Sequence, residues 1–333
     1  MDHKTFLSKR NIHMAFAIIW IVVFHMKLVT GIAGLDKLIN IGYAGSDIFY
    51  FVSGIGIWFS LEKSGDILLY YKKRLLRIMP MYWIFMCFWI PFRVAFFEMK
   101  PLYVGLNVLG IAGIFDIGEG FNWYISFLIL FYIVAPLIKW MMDLLPGPTA
   151  LLFIFALFFI LGYVLVDDPD VMIGITRFPI FAMGMHFGKR MTKKEDGRFS
   201  VPEVIFWLLM IPVGIGLGLY FGGDFLKSWS NGLLWYPYIL STPGICMLLS
   251  MIFAPLPDWV SAPMDFIGKH TLSIYFIHVF FFEIYEKYLL ANGFIEPEAW
   301  QWFVILAAVV PGCIVLELLT HLVTLPFLGG DKD

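Results

Sequence analysis

The sequence predicts an all-α membrane protein, a polytopic helix bundle of about ten transmembrane helices with both termini in the cytoplasm. Three observations lead to this fold class. The chain of 333 residues is 60% hydrophobic and only 14% charged, whereas soluble domains are about a quarter charged. It contains ten apolar runs that approach the roughly 20 residues a helix needs to cross a bilayer. Lysine and arginine are concentrated in alternate connecting segments, which is the positive-inside pattern.

The ten apolar runs share a high content of aliphatic and aromatic residues. They lie near residues 12–31, 43–62, 78–98, 121–142, 149–166, 171–189, 202–221, 233–254, 266–291 and 300–327. A further run at 103–115 is rich in glycine and too short to cross, so we expect an interfacial or re-entrant segment there. No internal repeat or soluble domain separates the runs. Residues 1–333 are therefore expected to form a single transmembrane domain.

The charge pattern orients the bundle and excludes several classes of protein. With the N-terminus inside, most of the 23 Lys and Arg fall in cytoplasmic segments such as "KRMTKKEDGR" at 189–198, while an outer loop at 166–170 reads "VDDPD". A net charge of −2 provides no basic field for nucleic acid. The three cysteines lack metal-ligand spacing, and neither a zinc-binding histidine pair nor a phosphate loop is present. No metal site is expected.

Ionisable residues inside apolar runs are candidate functional residues, because they are costly in a membrane. His25, in "WIVVFHMK", is predicted deep in the first span, toward its outer half. It could act as a general base or be a packed histidine bonded to a neighbouring helix. Asp47, in "GSDIFYFVSGIGIW", could cap the second helix. Ser53 follows in "SGIG", where the glycines allow close approach of another helix or of a ligand.

The segment "YKKRLLRIMPMYW" at 71–83 places several basic residues at the mouth of the third span. Arg74 and Arg77 are three residues apart and share a helix face, and Lys73 could join them. Guanidinium groups bind phosphate through paired hydrogen bonds. The alternative is a set of cytoplasmic anchors that reach lipid headgroups. Pro80 is expected to begin the membrane helix, where its missing N–H costs little.

Three further spans contain polar or aromatic candidates. Arg177, in "GITRFPIFAMG", is predicted well inside the sixth span and needs a partner or a water-filled cavity. His278, in "SIYFIHVFFFEIY", is predicted mid-span in the ninth helix. Trp123 and Tyr124 are predicted at the outer start of the fourth helix, where an aromatic belt belongs and where a sugar ring could also stack.

Six segments in the same order resemble the blocks of the membrane acyltransferase-3 family. They are "IIWIVVFH", "GYAGSDIFYFVSGIGIW", "KKRLLRIMPMYW", "NWYISFLILFYIVAPL", "RFPIFAMGMHFGK" and "IGKHTLSIYFIHV". The last block contains Tyr275 and His278. Each block alone is loose, but six in the right order cover nearly the whole chain and are specific.

The resemblance implies an integral membrane O-acyltransferase. Members move an acyl group, commonly acetyl and sometimes succinyl, from cytoplasmic acyl-CoA to a hydroxyl of a surface or exported carbohydrate. By this resemblance His25 is the essential histidine, and Arg74 and Arg77 are the paired arginines that hold the donor. The expected partners are acyl-CoA, a carbohydrate acceptor and the lipid bilayer, with no resident cofactor. The expected location is the bacterial inner (plasma) membrane.

The sequence departs from the family pattern at Met14, where an arginine commonly lies eleven residues before the histidine. Arg10 lies one turn earlier and could reach the same space, since four residues of helix span about 6 Å. It could equally be a plain inner anchor. A transporter of glycan intermediates is the alternative function, and it would not consume acyl-CoA. An inactive partner protein is a third interpretation, which rests on Met14 alone.

Overall fold

The computed structural model describes residues 1–115, 123–165, 169–193, 197–222, 234–284 and 299–328. Within these ranges the regular structure is helical, apart from one isolated bridge between Asp2 and Arg198. The helices of the first half are α1 His3–Ser8, α2 Arg10–His25, α3 Ala33–Asn40, α4 Gly45–Ser64, α5 Ile67–Phe97, α6 Pro101–Val108, α7 Ala112–Phe115 and α8 Trp123–Leu144. Those of the second half are α9 Gly147–Val164, α10 Pro169–Ile175, α11 Phe178–Lys193, α12 Val201–Gly222, α13 Tyr238–Phe253, α14 Asp258–Lys269, α15 Thr271–Glu283 and α16 Ala299–Leu328.

The polytopic helical fold class is confirmed. Seven helical segments of the described chain are long and apolar enough to cross a membrane: Gly42–Ser64, Ile67–Phe97, Trp123–Leu144, Gly147–Val164, Val171–Thr192, Val201–Gly222 and Ile305–Thr324. Three predicted spans coincide instead with the shorter apolar helices α2, α13 and α15. Whether those three also cross stays a prediction. Parts of the predicted spans, at 121–122, 166, 233 and 285–291, and the acidic residues 167–168 lie outside the described ranges.

The first predicted span is too long at its C-terminal end. Helix α2 ends at His25, and Lys27 adopts a left-handed conformation with φ of 48°. The following loop is closed by Asp36, which accepts hydrogen bonds from the hydroxyl and backbone N–H of Thr30 at 2.6 and 2.7 Å. These bonds favour the ionised carboxylate and lower the pKa of Asp36. His25 therefore lies in the last turn of its helix and not deep within it.

The expectation that Pro80 begins a helix is wrong. Helix α5 begins at Ile67, where Asp66 caps it by accepting a hydrogen bond from the backbone N–H of Leu68 at 2.8 Å. It then continues through Pro80 to Phe97. Its 31 residues span about 46 Å, more than the roughly 30 Å of a hydrocarbon core. Arg74 and Arg77 are thus part of the same continuous helix as the membrane segment.

Helix α4 packs closely on α11 through two glycines. A Cβ atom on Gly54 would lie 2.2 Å from the backbone oxygen of Phe181, and one on Gly184 would lie 2.1 Å from that of Phe51. The two backbones can approach this closely only because both positions lack a side chain. By contrast, a Cβ on Gly56 would meet nothing within 4 Å. The two glycines of "SGIG" therefore differ: Gly54 serves helix packing, and Gly56 faces open space.

The bundle has two polar ends. We call the end that carries Arg10, Arg74, Arg77 and Lys269 the arginine end, and the end that carries His25 the histidine end. Predicted inner segments meet through ion pairs: Arg190 binds Glu203 at 2.5 and 2.8 Å, and Lys139 binds Glu62 at 3.1 Å. A further ion pair, Arg93 with Glu283 at 2.9 Å, joins α5 to the C-terminal end of α15.

Candidate functional site

A cavity of about 460 Å³ lies between α2, α4, α5, α8, α14 and α15 at the arginine end. Five of the eleven site residues that the sequence analysis selected line it, together with Arg10 and several residues that were not selected. The lining residues are Arg10, Asn11, Met14, Phe49, Val52, Ser53, Gly56, Arg74, Arg77, Ile78, Met81, Tyr124, Leu128, Tyr132, Gly268, Lys269, Thr271, Leu272 and Tyr275.

The mouth of the cavity is strongly cationic. Arg10, Arg74 and Arg77 meet there, and the charges of Arg74 and Arg77 both repel that of Arg10. No Asp or Glu lines the cavity, and none of the three arginines forms an ion pair in the described part of the chain. Lys269 also lines the mouth but is already paired with Asp265 at 2.5 Å. An anion with several charges would relieve this repulsion.

Arg10 reaches the space that Met14 also lines, one turn further along α2. Of the two interpretations of Arg10, the geometry favours the cavity residue over the plain anchor. Lys73 behaves differently, because it is exposed and does not line the cavity. Lys73 lies four residues before Arg77, a spacing that makes the two neighbours on the helix surface, but only Arg74 and Arg77 line the cavity. Its predicted grouping with them is not seen.

The deeper part of the cavity is lined by hydroxyl groups. Ser53 interacts with the hydroxyl of Tyr124, and the Tyr124 ring packs 5.2 Å from that of Tyr275 and 4.9 Å from that of Tyr50. Tyr124 is only 6% exposed, so it does not belong to an aromatic belt at the membrane surface. Tyr275 leads onward, because its ring lies 5.5 Å from that of His278.

His25 and His278 form a pair at the histidine end. The Nδ1 atom of His25 lies 3.0 Å from the Nε2 atom of His278, and the two rings are stacked with centroids 5.3 Å apart. His278 is fully buried, and its Nδ1 atom lies 2.8 Å from the backbone oxygen of Ile274. Phe282 packs on both imidazoles. Residues 253 positions apart in the chain are thus joined directly.

Arg177 lies at a break between α10 and α11 and not within a continuous helix. It is fully buried, its Nε donates to the hydroxyl of Ser46 at 3.2 Å, and its guanidinium lies 5.2 Å from the Trp123 ring and 4.9 Å from the Trp235 ring. Trp123 therefore covers this buried cation.

Asp47 is fully buried in α4 and interacts electrostatically with Arg177. Its carboxylate forms no capping hydrogen bond at the start of the helix, so the capping interpretation is wrong. Asp47 and Arg177 do not line the cavity. Opposite charges buried together compensate part of the cost of removing each from water. These two residues therefore contribute to a packed polar core beside the site.

Sequence reasoning missed several polar residues of the cavity wall, among them Lys269 and Tyr132. Lys269 is the last residue of α14, two positions before α15 begins, and the sequence analysis did not select it. Tyr132 lies eight residues after Tyr124 on α8, with Leu128 between them, and this spacing of four places all three on one helix face. That periodicity was the available signal. In the described residues no group of three or more metal-ligating side chains is brought together.

A bundle of apolar helices around a cationic cavity, with a histidine pair beyond it, defines a multi-pass membrane protein with a buried polar site. The chain matches the acyltransferase 3 family model, described as an acyltransferase domain, over residues 15–318. It therefore belongs to the acyltransferase 3 family and is a membrane acyltransferase. No match was found among curated proteins or among solved structures. Arg10 and Met14 lie just ahead of the matched segment.

Proposed function

We propose that this acyltransferase uses acyl-CoA, with acetyl-CoA the expected donor, to acylate a hydroxyl of a cell-surface or exported carbohydrate. The observation that carries the proposal is the cavity mouth where Arg10, Arg74 and Arg77 meet without an acidic lining residue. Coenzyme A presents a diphosphate and a ribose phosphate. Guanidinium groups match such oxygens through paired, charge-assisted hydrogen bonds.

The donor would lie along the bundle axis. Helix α2 rises about 22 Å between Arg10 and His25, so the phosphates and the reacting thioester would occupy opposite ends of an extended donor. The pantetheine arm would pass Tyr124 and Tyr275, the lining residues that connect the cavity to the histidine pair. The basic residues of the arginine end support a cytoplasmic position for that end, where acyl-CoA is available. The membrane would be the bacterial inner membrane.

His25 would act as the general base. It takes the proton from the acceptor hydroxyl while the oxygen attacks the carbonyl carbon of the thioester. The carbon–sulfur bond then breaks, the electron pair leaves on sulfur, and the thiolate receives the proton from the His25 imidazolium. The products are an ester and free coenzyme A. A positioned base of this kind contributes about 10²–10⁴-fold to the rate.

The acceptor would enter from the histidine end, where α2 stops at His25 and the chain turns. Asp47 and Arg177 are buried and would support the wall on this side without touching the sugar directly, while the partly buried Trp123 would cover Arg177. This changes the role of Trp123 from a stacking platform to a support.

The test is acyl transfer in isolated membranes supplied with radiolabelled acetyl-CoA. Wild type is compared with His25→Ala and with His321→Ala, a control at an exposed histidine of α16. We expect alkali-labile label in a glycan product for wild type and the control, and a loss of at least about 100-fold for His25→Ala. Equal transfer by the His25 variant would remove His25 from the chemistry. Glycan export without consumption of any acyl-CoA would instead support a transporter.

A further inference from the structure

We infer that His278 is a positioning residue that fixes the tautomer and the orientation of His25, so that Nε2 of His25 is the nitrogen that exchanges the proton. The inference rests on the proposed function only where it concerns catalysis. The hydrogen-bond pattern that leads to it is a property of the folded protein.

The chain of hydrogen bonds begins at a backbone carbonyl. Nδ1 of His278 lies 2.8 Å from the oxygen of Ile274, one turn earlier on α15. A carbonyl oxygen can only accept, and it has a second lone pair besides the one used in the helix. Nδ1 of His278 must therefore carry a hydrogen and donate it to Ile274.

The second step follows from the chemistry of imidazole. His278 is 0% exposed and is packed among the rings of His25, Tyr275 and Phe282. No carboxylate contacts it in the described part of the chain, so the neutral ring is favoured over a buried cation. A neutral imidazole has a hydrogen on one nitrogen only. Nε2 of His278 is then an acceptor, and Nδ1 of His25, 3.0 Å away, must donate to it.

The consequence for His25 is a defined role for each ring nitrogen. Nδ1 keeps its hydrogen in both the neutral and the protonated ring, because it donates to His278 in both states. The proton gained or lost during the reaction must therefore be on Nε2. When His25 becomes an imidazolium, its bond to His278 becomes charge-assisted and stronger. His278 thereby stabilises the protonated base as well as orienting it.

The position of His25 explains why such a partner is needed. His25 is the last residue of α2 and only half-buried, so no further turn of its own helix follows the ring. The bond from α15 and the stacked arrangement, with ring planes 23° apart, hold the imidazole from the other side. A wrong tautomer with intact geometry can lower the rate of a histidine-dependent enzyme by orders of magnitude.

The tautomers can be read directly by nitrogen NMR of the full-length protein in lipid bilayers, labelled with ¹⁵N-histidine. Resonances are assigned by their loss in His25→Gln and His278→Gln. In wild type we expect hydrogen on Nδ1 and none on Nε2 for both residues at neutral pH. In His278→Phe, which has no acceptor, we expect His25 to lose this single tautomer. His13→Gln is the control, since His13 is buried and bonded to Ser250 on another helix, and it should leave the His25 resonances in place.

Activity provides the second readout. We expect His278→Phe to lower acyl transfer about 100-fold, at the lower end of a general base contribution, and to shift the pH profile. In His278→Gln, the side-chain oxygen can accept the same hydrogen bond and should restore part of the loss. A wild-type His25 with hydrogen on Nε2, or an unchanged His25 tautomer in His278→Phe, would overturn the inference. Failure of the acyl-CoA proposal alone would leave the NMR result intact, so the two can be distinguished.

Discussion

Replacing Arg10 by Ala should weaken binding of coenzyme A, although Arg10 precedes the segment that matches the family. Arg10 lines the cavity mouth with Arg74 and Arg77, and no carboxylate competes for its charge there. A hydrogen bond to a charged group contributes about 1.5–3 kcal/mol. Because each 1.4 kcal/mol corresponds to a factor of ten, the dissociation constant should rise by about 10–150-fold.

The measurement is equilibrium binding of coenzyme A to purified protein in lipid nanodiscs. Lys73→Ala is the matched control, because it removes the same charge from the same end of the bundle at an exposed residue that does not line the cavity. Any general effect of surface charge should appear equally in both variants and fade at high salt. Only the Arg10 variant should show the large loss.

A second site in α2 tests the same reasoning by rescue. Met14 lines the cavity one turn after Arg10, so an arginine introduced there can present its guanidinium to the same space. Arg10→Ala combined with Met14→Arg should therefore recover part of the lost affinity. Equal affinities for the Arg10 and Lys73 variants, or no effect of either, would refute the assignment of Arg10 to the donor site.

Two further predictions concern the donor clamp and the helix packing. Arg77→Lys should keep the charge but lose the paired hydrogen bonds, so the dissociation constant for coenzyme A should rise several-fold; unchanged affinity would contradict a guanidinium clamp. Gly54→Ala should lower the free energy of unfolding by about 1–3 kcal/mol, because the new Cβ would lie about 1.2 Å inside ordinary contact distance of the Phe181 oxygen. Gly56→Ala, two residues further along the helix, is the control, because a Cβ atom there meets nothing within 4 Å. An equal fall of the thermal unfolding temperature in detergent for both variants would refute the packing argument.

Seven of the ten predicted spans coincide with described helices that are long and apolar enough to cross a membrane. They could be located from the sequence because the bilayer imposes a local requirement. A spanning segment must satisfy its own backbone hydrogen bonds and present apolar side chains, and both conditions are written in contiguous residues. The arginine pair was also predictable, since a spacing of three residues defines a common helix face.

Helix ends were less predictable, and the errors have physical causes. A hydropathy profile reflects only the polarity of the side chains. It does not detect a left-handed backbone conformation, as at Lys27, or a helix-capping residue, such as Asp66. The first span was therefore drawn past His25, and the start of α5 was assigned to Pro80. Both corrections changed the place of candidate functional residues: His25 lies at a helix end, and Arg74 and Arg77 lie within a continuous helix.

Contacts between distant segments were decided only by the tertiary structure. Nothing local to His25 indicates that its partner is His278, and nothing local to Arg10 indicates that it meets Arg77 from another helix. Trp123 lies at a sequence position that is typical of a membrane-surface aromatic, yet its ring covers the buried Arg177. Periodicity along the chain states which face of a helix is apolar or charged, but which helix that face meets depends on how all the helices pack together.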